Sequence, residues 1–107
     1  MELFNLLKTK DKNAGVRVFR AVKGAVLLDV RTAREYAEGH IDESLNLPLQ
    51  NIEKAVSVIK NKDTPLFVHC RSGGRSSAAT DALKKMGYTN VNDIGGILSY
   101  NGKAAKE

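Results

Sequence analysis

The sequence predicts an α/β protein built on a mainly parallel sheet with helices on both sides. Two apolar runs carry the sheet. Ala25-Val26-Leu27-Leu28-Asp29-Val30 and Leu66-Phe67-Val68 are continuous rather than alternating and end at polar positions, as strands covered on both faces do. Segments with apolar residues at helical spacing lie between and around these runs, so strand and helix alternate along the chain. No internal repeat or linker interrupts the alternation, and the 107 residues read as one domain.

Each element has a local cause. Asn13 is placed to cap a helix carrying Ala14, Val18, Ala21 and Val22 on one face, with Gly24 as its end. This N-terminal helical segment, residues 1–23, reads as cover for the sheet. Thr32 opens a short helix through Glu38, which Gly39 stops. Ser44-Leu45-Asn46-Leu47-Pro48 is a short extended segment, and Ile52, Ala55, Val56 and Ile59 mark one face of a helix over about residues 51–60. Beyond the 66–69 strand a helix begins at about Arg75. Ala79, Ala82, Leu83 and Met86 form its apolar face, Lys84 and Lys85 sit in its last turn, and Gly87 stops it. Val91–Ile94 reads as a last strand, Gly95-Gly96 as a turn, Ile97 to Tyr100 as a terminal helical turn, and 102–107 as a frayed tail.

Composition narrows the class. The chain is 42% hydrophobic and 27% charged, ordinary for a globular domain, with a net charge of +5. That excess is uneven. Residues 1–24 hold six basic and two acidic groups and residues 65–88 four and one, while 25–64 are net acidic. Around Cys70 the charge suits a small anion; Lys8, Lys10, Lys12, Arg17, Arg20 and Lys23 read as a solvated face, since no aromatic residues interleave with them as a nucleic-acid stacking platform requires. A single cysteine and two histidines make neither a disulfide nor a zinc ligand set. No signal peptide or 18-residue apolar stretch is present, so no membrane span and a cytoplasmic location are the expectation.

The chemistry-bearing stretch is Val68-His69-Cys70-Arg71-Ser72-Gly73-Gly74-Arg75-Ser76-Ser77. A tight loop entering a helix turns several N–H groups inward and adds the positive end of the helix dipole, which holds an anion without a metal. Gly73 and Gly74 can take the positive φ that lets the backbone curl. A thiol in that ring, flanked by Arg71 and Arg75, has reason to be a thiolate at neutral pH. A lone cysteine is ordinarily a small buried hydrophobe, but this setting makes Cys70 an exposed, activated nucleophile. Strand alternation turns His69 away from Cys70, so it reads as packed on the sheet face. His40 reads as a structural hydrogen-bonder, and Asp29 with Arg31 as an internal contact bracing the strand edge. Asp29, Asp42 and Asp63 are general-acid candidates only for phosphatase-like chemistry.

These residues together resemble the rhodanese-like domains. The resemblance rests on Leu28-Asp29-Val30-Arg31 with Glu35-Tyr36, on Gly39-His40-Ile41 with Asn46 and Pro48, on Cys70-Arg71-Ser72-Gly73-Gly74-Arg75-Ser76, and on Gly87-Tyr88, Asn90-Val91 and Gly95-Gly96, spread over about residues 24–101. Tyr100 stands where the family often has Trp. The resemblance implies a three-layer fold with about five short strands and a sulfurtransferase. In that reading Cys70 takes a sulfane sulfur from thiosulfate or a similar donor, becomes a persulfide, and passes the sulfur to cyanide or a thiol. Arg71, Ser72, Gly73, Gly74, Arg75 and Ser76 would bind the anion, through backbone amides, through the two guanidinium groups and through the two hydroxyls, although Ser76 reads equally as a plain helix cap and one of the two arginines as merely solvated. No cofactor is implied. Related phosphatases and arsenate reductases use a longer Cys-x5-Arg loop, whereas Cys70 to Arg75 is Cys-x4-Arg, a smaller ring suited to one sulfur atom. A persulfide carrier that serves a sulfur-relay protein partner without turnover of its own is the other open reading.

Overall fold

The computed structural model describes residues 14–96. The elements in chain order are α1 (Ala14–Ala21), β1 (Val26–Asp29), α2 (Ala33–Glu38), β2 (Leu45–Asn46), a 3₁₀ segment Leu49–Lys54 running into α3 (Ala55–Val58), β3 (Leu66–Cys70), α4 (Gly74–Lys85) and β4 (Val91–Gly96). The strands form one all-parallel sheet in the order β2-β1-β3-β4, so four of the roughly five expected strands lie among the described residues. The Asn13 cap, the terminal turn at Ile97 to Tyr100 and the tail fall outside them.

The two central strands are buried on both faces, as their unbroken apolar runs require. On one face Leu28, Val30, Leu66, Val68 and Cys70 pack against Ile52, Ala55, Ile59, Ala79, Leu83 and Tyr88. On the other, Leu27 and Phe67 pack against Val16, Val18, Phe19 and Ile41, with the Phe19 and Phe67 rings edge to face at 6.1 Å. Each layer exists because alternate residues of one strand feed opposite cores. The side chains of Cys70 and His69 therefore leave the sheet on opposite sides.

Four local expectations change. The expected face of α1 gains Val16 and Phe19, while Ala21 is exposed. The helix expected over 51–60 is split, because Pro48 starts a tight 3₁₀ segment whose Asn51 departs from helical geometry (φ −115°, ψ 21°). Ile52, Ala55 and Ile59 stay inside, and Val56 turns out to solvent at 48% exposure. α4 begins one residue early, at Gly74. Gly95-Gly96 is no turn. The ladder to β3 skips Ile94 in a bulge, Gly95 adopts φ 78°, and Gly96 pairs beside Cys70.

Thr32 caps α2 as expected: its hydroxyl accepts from the Glu35 N–H at 3.1 Å while the Glu35 carboxylate accepts from the Thr32 N–H at 2.9 Å. Among the described residues no helix is long and apolar enough to cross a membrane.

Candidate active site

β3 carries Cys70 to the C-terminal edge of the sheet, and the chain must then reverse to lay α4 back on it. Gly73 makes that reversal possible with φ 108°, a conformation that a side chain would strain. Gly74, the second glycine of the loop, is already helical. The reversal aims two amides at the sulfur: the Gly73 N–H donates to Cys70 Sγ at 2.9 Å and the Ser76 N–H at 3.3 Å. Burial raises the thiol pKa and is the largest single influence. The hydroxyl and N–H of Ser76 and the amides of Gly73 and Ser72 together outweigh it, so Cys70 lies below the usual thiol range. The Ser76 hydroxyl donates to the Gly73 carbonyl at 3.0 Å, so its one proton reaches the sulfur only when the hydroxyl rotates.

The expected exposure of Cys70 is corrected. The residue is 0% exposed: the loop turns the Gly73 and Ser76 amides onto the sulfur, and the end of β4 lies against the loop backbone. Gly96 makes that approach: a Cβ there would lie 2.5 Å from the Arg71 carbonyl oxygen and 2.7 Å from Ser72 Cα. Gly96 stands in β4 rather than in a turn, and the one-residue bulge of that strand brings it against the loop.

The two loop arginines part company. Arg75 is held by Glu35 in a bidentate pair, Nη1 to Oε1 at 2.6 Å and Nη2 to Oε2 at 3.0 Å. That pair and the Thr32 N–H lower the Glu35 pKa to about 2. Arg71 is exposed, as are Ser72 and Gly74, and Arg71 makes no hydrogen bond or ion pair with another described residue. Glu35, forty positions before Arg75, is marked in the sequence only within the Glu35-Tyr36 part of the family resemblance, with no role in the site.

Asp29 and Arg31 brace the neighbouring edge as expected, with Arg31 Nε 2.9 Å from Oδ1 and Nη2 2.7 Å from Oδ2. The general-acid candidates do not converge. Asp29 is spent on Arg31, Asp42 is exposed, and exposed Asp63 precedes β3, at the end of the sheet away from Cys70. His40 Nδ1–H donates to the Tyr36 carbonyl at 2.7 Å, and the two rings stack at 3.7 Å, the structural role read for it.

The family model for the rhodanese-like domain matches residues 16–103. The chain belongs to the rhodanese-like domain family. A putative mitochondrial thiosulfate sulfurtransferase of Schizosaccharomyces pombe is 38% identical over 94 residues, covering 76% of this chain and 66% of that protein. The adenylyltransferase and sulfurtransferase uba4 of Ogataea parapolymorpha is 33% identical over 99 residues, which cover 92% of this chain. The chain spans only 25% of that relative's length. Among solved structures, the rhodanese with anions from E. coli superposes with a TM-score of 0.71 at 28% identity, over 78% of this chain and 99% of that one.

Behind the loop of this rhodanese-like domain, His69 is 0% exposed and neither ring nitrogen has a hydrogen-bond partner among the described residues. Burial drives its pKa below the ordinary value; the nearby Asp29 charge opposes this and Arg31 adds to it. The unfolded chain therefore takes up the proton first as pH falls. The stability due to neutral His69 is whole above the unfolded pKa of about 6.5 and is lost progressively below it. Urea midpoints are expected to fall between pH 7 and pH 5 in the wild type and to fall less in His69→Phe. Equal slopes in the two proteins would show that His69 is not the group responsible. The window is separate from that of Glu35, whose stabilising contribution is whole above the ordinary carboxylate pKa of about 4.3 and is lost as pH falls from there toward its lowered value of about 2.

Proposed function

We propose that this domain is a sulfurtransferase that moves a sulfane sulfur from thiosulfate, or a similar small anionic donor, through a Cys70 persulfide to cyanide or a thiol. The supporting observation is the pair of amides from Gly73 and Ser76 converging on Cys70 Sγ at the start of α4. The Cys70 thiolate attacks the outer sulfur of thiosulfate, the donor's S–S bond breaks, and sulfite leaves with the bonding electrons. The Cys70–S–S⁻ product keeps one negative charge, which moves to the outer sulfur. Swinging outward by a bond length, that sulfur takes over the inward N–H groups of residues 71–76. Cyanide or a thiolate then attacks it and returns Cys70 to the thiolate. Arg71, Ser72, Gly73, Gly74, Arg75 and Ser76 form the anion-binding loop in this reading, with no metal or organic cofactor and with the cytoplasm as the reducing compartment.

A second reading follows from the complete burial of Cys70: a carrier that is loaded and unloaded only by a docked protein. One experiment separates them. Incubation with thiosulfate should add one sulfur to the intact mass, and cyanide alone should remove it as thiocyanate over repeated cycles. Loading only by a protein donor, or a single release without turnover, would favour the carrier. No loading together with phosphate-ester hydrolysis would overturn both.

A further inference from the structure

Among the described residues Arg31, Arg71 and Arg75 lie in or beside the Cys70 loop, and carboxylates already occupy two of them. Arg31 is paired with buried Asp29. Arg75 spends both terminal nitrogens on Glu35 in a pair whose side chains are 34% and 25% exposed. The Glu35 carboxylate is itself fixed, because its Oε1 also accepts from the N–H and hydroxyl of Thr32 at 2.9 and 3.1 Å. The pair is therefore preorganised at the start of two helices. It is also less screened than a surface pair. Arg71, next to Cys70, is the loop cation left exposed and without a partner among the described residues.

We propose that Glu35 sets the affinity of the site for its anionic donor by neutralising Arg75, so that Arg71 alone recruits the donor. Glu35 is thus a positioning residue and Arg75 a brace between α2 and α4. The inference rests on the sulfurtransferase reading for its substrate, though not for its electrostatics. Its consequence runs against the usual effect of breaking an ion pair beside an active site: removing the carboxylate should improve donor binding.

Glu35→Gln is the informative change, because glutamine at the third helical position can still close the capping box with Thr32 while losing the charge. The freed Arg75 adds a cation facing a dianion. KM for thiosulfate is expected to fall about three- to tenfold at low ionic strength, with the gain shrinking as salt is raised. Arg71→Ala is expected to raise KM by at least about tenfold. The same charges can be read without turnover from the ratio of alkylation rates of Cys70 by iodoacetate and iodoacetamide, in which differences in thiolate fraction and loop opening cancel. That ratio should rise in Glu35→Gln and fall in Arg71→Ala. An unchanged or lower ratio in Glu35→Gln, or an unchanged ratio in Arg71→Ala, overturns the proposal. Should Glu35→Gln not fold, the exposed Arg71→Ala variant decides it. A wild type that shows the anionic preference but forms no persulfide overturns the sulfurtransferase reading and leaves the electrostatic assignment standing.

Discussion

Cys70→Ser should abolish sulfur loading, with thiocyanate production falling by at least about 10³-fold and no gain of mass after incubation with thiosulfate. The cause is chemical rather than structural. The Gly73 and Ser76 amides that point at Sγ can donate to a hydroxyl oxygen in the same place, so the loop keeps its shape. They stabilise an anion, and a serine hydroxyl starts too far above neutral pH for two amides and a helix terminus to ionise it. The wild type starts close: its thiol already lies below the usual range, because hydrogen bonding from Ser76, whose hydroxyl takes part by rotating off the Gly73 carbonyl, and from the amides of Gly73 and Ser72 overcomes the penalty of burial. Its loading rate should accordingly rise with pH below the ordinary thiol pKa of about 8.5. A Cys70→Ser protein that still gained a sulfur would place the nucleophile elsewhere, and the chain has no second cysteine to offer.

What could be read from the sequence was whatever depends on near neighbours. Leu27 and Leu28 declared a strand with two cores, Thr32 declared a helix start, and Cys70 to Ser76 declared a strand, loop and helix with a sulfur at the bend. Each of these is a pattern within a few residues, where pleat, helix period and φ preference act directly. What was not legible depends on contacts between distant segments. Glu35 finds Arg75 across forty positions, and Gly96 reaches the Arg71 carbonyl only because a one-residue bulge in β4 shifts its register. The exposure expected of Cys70 failed for the same reason. How tightly the loop folds back on the sulfur depends on α4 and β4 packing around it, which no stretch of a few residues states.

Asp29→Asn should be the most destabilising of the polar substitutions, lowering the unfolding free energy by about 3–5 kcal/mol, out of a total that for a domain of this kind is only about 5–15 kcal/mol. Asp29 is 0% exposed and its carboxylate accepts from the Arg31 backbone N–H at 3.0 Å as well as from the guanidinium. An asparagine would set an NH₂ group against a guanidinium donor and leave the partly buried Arg31 charge with one neutral amide oxygen, the Gly39 carbonyl 2.9 Å from Nη2 and the more distant Glu35 carboxylate to hold it. The damage would not stay local. Asn46 Nδ2 donates to the carbonyls of Asp29 and Arg31 at 3.0 Å each, tying β2 to this edge, and the Val30 N–H donates to the His69 carbonyl at 3.0 Å, one residue from the nucleophile. Urea unfolding measures the loss, and a double variant, Asp29→Leu with Arg31→Met, should recover much of it by removing both charges together. A single variant losing less than about 1 kcal/mol would mean that the pair behaves as an exposed one. If the pair is a brace, the fraction of Asp29→Asn protein that remains folded should load sulfur at nearly the wild-type rate, since neither residue touches Sγ. A folded variant that had lost its rate would move Asp29 from the scaffold into the chemistry.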